Sequence, residues 1–158
     1  MGRWSRAEIE EAFARYTEVA QRAAATGDWR EWANRFTTDA SYLEHHFGAM
    51  EGREAIYEWI QSTMSEWPGN EMIAFPIEWH IIDEERGWVV CQVWNRMADP
   101  GDGSLHQEHN LTLLKYAGDG LWSYEEDIYN PARFIAMLEN YERRKETLAT
   151  AAAESASD

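Results

Sequence analysis

Apolar positions recur every three to four residues in four parts of the chain, which is the period of an amphipathic helix. The first part begins with Ser5 and Glu8 at capping-box spacing and ends before Gly27. The last begins with Asn130, a helix cap, and Pro131, which suits the first helical position. The pattern predicts four helices, the second of them short, over residues 5–26, 28–36, 52–67 and from 130 onward.

Elsewhere the apolar positions alternate, which indicates strands. The first strand reads "ASYLEHHF", and four more follow helix three, separated by short Gly- and Asp-rich turns that favour an antiparallel meander. These four read "MIAFPIEWHIID", "GWVVCQVWNRM", "HQEHNLTLLKY" and "LWSYEEDIY". The element order ααβαββββα predicts an α+β fold with helices packed on one face of a curved sheet. Such a concavity holds either a solid apolar core or a pocket.

The lengths of the hairpin turns suggest which residues face one another across the predicted sheet. If the last two turns span residues 100–105 and 117–120, a polar row of Asn95, Asn110 and Asp127 crosses three neighbouring strands. The opposite face is apolar and carries Trp94 and Trp122. Alternation alone leaves open which of the two faces is the inner one.

Composition narrows the classes of partner. The chain has 14 Lys and Arg against 29 Asp and Glu, a net charge of −15, so we expect no nucleic-acid partner. Its apolar runs are too short for a membrane helix and its start lacks a signal-peptide pattern, so we expect a cytoplasmic protein without a membrane partner. The length suits one domain over residues 1–147, and the small polar residues of 148–158 predict a disordered tail.

Two segments carry a family resemblance. "ATGDWREWANRFTTDASYLEHHFGAMEGREAI" and "YEEDIYNPARF" resemble recurrent segments of the nuclear transport factor 2-like superfamily, which includes SnoaL-like polyketide cyclases and ketosteroid isomerase. The resemblance implies a cone-shaped curved antiparallel sheet wrapped around the N-terminal helices, with one C-terminal helix. It also implies that the polar row faces an inner pocket. The convex sheet face, with Trp94 and Trp122, would form a homodimer interface.

Carried over residue by residue, the isomerase's catalytic base falls on Glu44. Its tyrosine donor falls on Ala20 and its aspartic acid donor on Thr112, neither of which can play that part. Tyr16 lies one helical turn before Ala20 and could substitute only with rearrangement. The resemblance therefore supports this fold without supporting steroid isomerisation, since the superfamily also holds cyclases, dehydratases, hydrolases and binding proteins.

Three carboxyl groups are expected to point into the cavity. Glu44 lies on the inward side of the first strand, and Glu125 and Asp127 lie on that of the last. Burial and mutual repulsion would raise at least one carboxyl pKa toward neutrality, which suits acid/base catalysis. Glu125 could instead sit solvated at the mouth of the cone. The candidate catalytic residues are Glu44, Asp127 and His45, and the candidate substrate-binding residues are Tyr16, Tyr42, Trp59, Asn95, Asn110, Glu125 and Tyr129.

The adjacent histidines His45 and His46 point to opposite faces of an extended strand, so they cannot share one metal. No ligand motif supports a metal site, and we expect neither a metal nor a cofactor. A bulge before Gly48 would let either His45 or His46 act beside Glu44 as a general base or as a hydrogen-bond donor to the substrate.

The leading hypothesis is a cofactor-independent enzyme that uses acid/base chemistry on a small hydrophobic, oxygen-bearing ligand such as a polyketide or terpenoid. A non-catalytic ligand-binding or homodimeric assembly module remains open. So does the structural small subunit of a ring-hydroxylating dioxygenase, which shares this fold. The substrate is not defined by the sequence.

Overall fold

The computed structural model of the protein describes residues 2–157, and within them the chain forms four α-helices and seven strands. The helices are α1 (Arg6–Thr26), α2 (Arg30–Ala33), α3 (Arg53–Ser65) and α4 (Pro131–Ser155). The strands are β1 (Phe36–Glu44), β2 (Gly48–Glu51), β3 (Met72–Ala74), β4 (Ile77–Asp83), β5 (Trp88–Met97), β6 (Gln107–Gly118) and β7 (Leu121–Ile128).

The helix ends have local causes that are visible in the sequence. The Ser5 side chain accepts a hydrogen bond from the backbone N–H of Glu8 at 3.2 Å, and Gly27 ends α1 in the left-handed region with φ of 76°. The Asn130 side chain caps α4 by accepting from the Ala132 N–H at 3.0 Å. The predicted starts of α1 and α4 are therefore confirmed.

The sheet runs in the order β2-β1-β7-β6-β5-β3, and β4 pairs with the same edge of β5 as β3 does. The predicted α+β cone is confirmed, with one refinement: β1 runs parallel to β7, so the sheet is mixed. The expected single strand before β5 is split into β3 and β4 at Pro76, which has no N–H to donate to a ladder. The strand β2, which pairs with β1, was not predicted.

The predicted strand register is wrong by two residues in both hairpins. Asn95 lies opposite Glu108 rather than Asn110, and Asp127 lies opposite Thr112. The predicted loop lengths caused the error, since the β6–β7 turn has two residues where four were expected. A shift of two leaves every side chain on its own face, so the polar row survives as a diagonal.

Burial along β6 alternates strictly, with Asn110, Thr112 and Leu114 buried and their neighbours half-buried. The buried face packs toward the helices, so the polar row faces inward, as the family resemblance implied.

The prediction that Trp122 lies on the outer face of the sheet is wrong. Trp122 was predicted to lie beside Trp94 on the convex side, yet it is fully buried and its ring contacts those of Tyr16 and Tyr116. A β-bulge explains this: Lys115 pairs with Tyr124 but Tyr116 pairs with Trp122, so the alternation of β7 is interrupted between them. Trp94 does lie outside, where its indole N–H donates to Glu78 at 2.8 Å.

The helix α4 closes the open end of the cone. Its Arg133 reaches Glu108 at 3.1 Å, and its Tyr141 hydroxyl donates to Glu71 at 2.7 Å. The segment predicted to be a disordered tail continues α4 as an exposed helix to Ser155, because alanine-rich sequence favours helix without needing packing. Residues 1 and 158 lie outside the described residues, and the boundary at 147 stays a prediction. Within residues 2–157, none of the helices has the length and apolar character needed to cross a membrane.

Candidate functional site

A cavity of about 390 Å³ lies between the inner face of the sheet and the helices. Most of its wall is apolar and comes from the four helices, the strands and the segments between them, including Trp29, Trp32, Trp59, Phe75, Phe134 and Leu138. Its polar end lies where β1, β5, β6 and β7 run side by side. A volume of this size suits a small organic ligand.

Nine of the ten side chains proposed from sequence line this cavity. They are Tyr16, Tyr42, Glu44, Trp59, Asn95, Asn110, Glu125, Asp127 and Tyr129. The exception is His45, whose side chain is 51% exposed and whose Nε2 lies 2.8 Å from Glu126 Oε1, on the outer side. The strand β1 ends at Glu44 and turns there, so no bulge brings His45 inward.

Asp127 is held by a chain of hydrogen bonds across β5, β6 and β7. Its Oδ1 accepts from the Thr112 hydroxyl at 2.6 Å and from the Asn110 amide at 3.0 Å. The same amide nitrogen donates to Thr112 at 2.8 Å, and Asn110 Oδ1 accepts from Asn95 at 2.7 Å. Both amide hydrogens of Asn110 are thus used within the protein. Asn110 orients Asp127 and has no hydrogen left for a ligand.

Glu125 lies deeper than Asp127, with only 2% of its surface exposed. Its Oε1 accepts from the Tyr16 hydroxyl at 2.7 Å and lies 3.1 Å from the Tyr42 hydroxyl. The Tyr42 hydroxyl also contacts Asp127 Oδ2 closely. Tyr42 therefore bridges the two carboxyl groups.

The Tyr42 hydroxyl lies within hydrogen-bond distance of both carboxyl groups but has only one hydrogen to donate. Its contact with Asp127 Oδ2 is the closer of the two. Asp127 also accepts bonds from Thr112 and Asn110, which favour its charged form. A proton shared by the pair is therefore better held by Glu125.

Burial raises the pKa values of both carboxyls, but to different extents. Burial and the neighbouring Asp127 raise the pKa of Glu125 well above its usual range. Burial also raises the pKa of Asp127, to about 6, and the Thr112 and Tyr42 hydroxyls limit that rise. The two carboxyls therefore lie in different environments, and the pKa of Asp127, at about 6, lies in the range that suits an acid or a base.

Glu44 forms a second polar corner of the cavity. It is 5% exposed, and its Oε2 accepts from the backbone N–H groups of His46 at 2.7 Å and Phe47 at 2.6 Å. In the parallel β1–β7 pairing, Glu44 lies opposite Asp127. Burial, and then the Glu44 carboxyl, raise the pKa of Tyr129.

The family is decided by the match of a family model. The model of the SnoaL-like domain matches residues 3–126, most of the chain. The chain belongs to the SnoaL-like family. This confirms the resemblance read from the sequence. No curated protein is similar enough in sequence to match the chain.

Solved structures share the fold of this SnoaL-like domain at low sequence identity. A protein from Jannaschia sp. CCS1, provisionally named a SnoaL-like polyketide cyclase, is 17% identical with a TM-score of 0.64, covering 87% of this chain and 96% of its own. An NTF2-like protein from Anabaena variabilis is 14% identical with a TM-score of 0.60 and coverages of 82% and 95%. A ketosteroid isomerase-like protein from Catenulispora acidiphila, in complex with trimethylamine, is 21% identical with a TM-score of 0.58 and coverages of 82% and 91%.

Thr112 is a polar site residue of this SnoaL-like domain that sequence reasoning passed over, and Phe47 is an aromatic one. Thr112 sits two residues after Asn110 on the inner face, and the isomerase's aspartic acid donor aligned with it. Both signals pointed to it, and its hydroxyl donates to Asp127. The carboxyl groups do not form a metal-binding group with other ligands within residues 2–157.

Proposed function

We propose that this SnoaL-like domain is an acid/base enzyme that needs no cofactor, of isomerase, cyclase or hydrolase type, acting on a small hydrophobic, oxygen-bearing substrate. The carrying observation is the pair of inward carboxyls, Glu125 and Asp127, joined through Tyr42 yet held in different environments. An apolar cavity that ends in such a pair suits proton abstraction from, and return to, a hydrophobic molecule.

Asp127 is the proposed base. It lies nearer the cavity than Glu125, and a pKa of about 6 leaves it charged at neutral pH while keeping it basic enough to take a proton. Thr112 and Asn110 fix its orientation. Glu125 is the proposed proton store behind it. Tyr42 can pass a proton between the two, since it contacts both.

Asn95 is the proposed contact for a substrate hydroxyl. Its amide nitrogen donates to Asn110 Oδ1 at 2.7 Å and to the Glu108 carbonyl at 3.2 Å, so both of its hydrogens are used. Its own Oδ1 remains to accept a bond. Trp59, which also lines the cavity, supplies apolar wall in this proposal.

The test is hydrogen–deuterium exchange of a hydrophobic ketone. In D₂O, 2-tetralone should exchange the protons beside its carbonyl faster with the protein than in buffer, followed by proton NMR. Asp127→Asn should lower the catalysed rate at least about 100-fold, because it removes the base. Glu126→Gln is the matched control, one residue away on the outer face, and should leave the rate unchanged.

Two results would contradict this function. If the wild-type protein does not exceed the buffer rate, acid/base catalysis on ketones fails. If Asp127→Asn keeps the rate, Asp127 is not the base. Tight binding of 2-tetralone without exchange would instead favour a non-catalytic ligand-binding module.

We also propose that the domain forms a homodimer through the outer sheet face. Large apolar side chains are exposed there, with Trp79 at 39%, Ile81 at 65% and Ile128 at 48%. An exposed apolar patch on a sheet face can pair with the same patch of a second copy in a two-fold dimer. Sedimentation equilibrium should give twice the chain mass for the wild type and the chain mass for Ile81→Lys. A monomeric wild type would refute the dimer and leave the cavity proposal intact.

A further inference from the structure

The charge and hydrogen-bonding character of the cavity points to a particular kind of ligand. Among the residues that the structure describes, no lysine or arginine lines it, while three acidic side chains do: Glu44, Glu125 and Asp127. The chain as a whole carries a net charge of −15, which attracts cations from a distance. An anionic ligand would therefore meet repulsion both outside and inside the cavity.

The polar end of the cavity offers more free acceptors than free donors. Both amide hydrogens of Asn95 and of Asn110 are used within the protein, and the Thr112 hydroxyl hydrogen goes to Asp127. Glu125 Oε2 is buried without a hydrogen-bond partner, and the indole N–H of Trp59 is a buried donor without one. A ligand with N–H or O–H donors of its own suits this end.

Aromatic rings surround the acidic corner of the cavity at Glu44. Both backbone bonds to Glu44 end on Oε2, and the Tyr129 hydroxyl interacts with the same carboxyl group at the cavity wall. The ring of Trp59 lies 4.9 Å from that of Tyr42 and 5.9 Å from that of Phe47, and Tyr129 lies beside Glu44. Aromatic faces next to a carboxylate attract an alkylammonium group, which is both apolar and positively charged.

We propose that the substrate carries a protonated amine, and that this ammonium group binds between Glu44 and the aromatic rings of Phe47, Trp59 and Tyr129. This rests on the proposed function, in which the cavity is the ligand site, and it adds the charge class of the ligand. Glu44 lies opposite Asp127 in the strand pairing. An ammonium group at Glu44 thus places the adjoining carbon atoms beside the proposed base.

The test uses three probes that share a naphthalene ring and differ in charge. At neutral pH, 1-naphthylmethylamine is a cation, 1-naphthylmethanol is neutral and 1-naphthoate is an anion. Isothermal titration calorimetry should give at least tenfold tighter binding for the amine than for the alcohol, and the weakest binding for the naphthoate. Glu44→Gln should remove the preference for the amine, since the amide keeps an oxygen for the two backbone donors but loses the charge.

Glu126→Gln is again the matched control, because it removes one charge from the outer face of the neighbouring strand. It should keep the tenfold preference, which separates binding at Glu44 from general attraction to an acidic protein. Equal or tighter binding of the alcohol would overturn the charge class and leave the proposed function standing. A preference that survives Glu44→Gln would overturn the assignment to Glu44. Failure of all three probes to bind would overturn the ligand-binding function itself.

Discussion

Three consecutive residues of β7 present carboxyl groups in two different environments. Glu125 and Asp127 point inward, and burial raises their pKa values. Glu126 points outward, and the hydrogen bond with His45 lowers its pKa. The same functional group thus has a raised or a lowered pKa according to the face of the sheet. Strand alternation separates these roles, and the surrounding residues then set each pKa.

The strongest contrast between the faces should appear when each carboxyl is removed. Glu125→Ala leaves a cavity and the buried Tyr16 hydroxyl without its acceptor, and should lower the free energy of unfolding by about 2–4 kcal/mol. Glu126→Ala removes only a surface pair and should cost about 0–1 kcal/mol. Urea unfolding followed by circular dichroism measures both. Equal losses would mean that Glu125 is not buried as described.

Removing the hydroxyl of the tyrosine that bonds the carboxyls on each face should have a smaller effect on stability. Tyr42→Phe breaks the bridge between Glu125 and Asp127 and should cost about 1–2 kcal/mol of unfolding free energy. It should also raise the pKa of Asp127 further, because the Tyr42 bond lowers it, and carbon NMR of the carboxyl can follow this. The matched outer pair is Tyr124, which donates to Glu126 at 3.0 Å. Tyr124→Phe should change stability by less than about 0.5 kcal/mol.

The pH dependence of stability should have opposite signs on the two faces. The raised pKa of Glu125 means that the folded state holds its proton longer, so stability falls as pH rises above the unfolded-state pKa of about 4.3. The free energy of unfolding of Glu125→Gln should therefore rise relative to that of the wild type between about pH 5 and pH 8, roughly the range in which proteins are most stable.

For Glu126 the lowered pKa gives stability that is present above about pH 4.3 and is lost as pH falls through the folded-state value. Glu126→Gln should therefore lose stability at neutral pH and approach wild type in acid. Thermal unfolding across the pH range distinguishes the two slopes. Slopes of the same sign would contradict the assignment of opposite environments.

The smallest effect is expected at His45. The position of His45 does not support the catalytic role predicted for it, since its ring contacts Glu126 on the outer face of the sheet. His45→Gln should change unfolding free energy by about 0–1 kcal/mol and leave tetralone exchange at the wild-type rate. If His45→Gln lowered the rate of tetralone exchange more than about tenfold, His45 would have to take part in the reaction.

Sequence reasoning was most successful where the cause is local. The caps at Ser5 and Asn130 and the apolar stripes of the helices depend on neighbouring residues, and they were predicted. It failed where the cause is a long-range pairing. The bulge that buries Trp122 and the two-residue error in register depend on how β6 and β7 fit together, which no short window of sequence contains.

The candidate site likewise has features that depend on local sequence and features that depend on long-range packing. The sequence by itself determined that Glu125 and Asp127 share a face and that Glu126 lies on the other, because the side-chain period of a strand is two. Only the tertiary structure decided which face is inside and which partners each carboxyl meets. Tyr16 reaches Glu125 from α1, 109 residues away in the chain. The pKa of a buried group depends on such partners and on the exclusion of water, and both arise only when distant segments pack together.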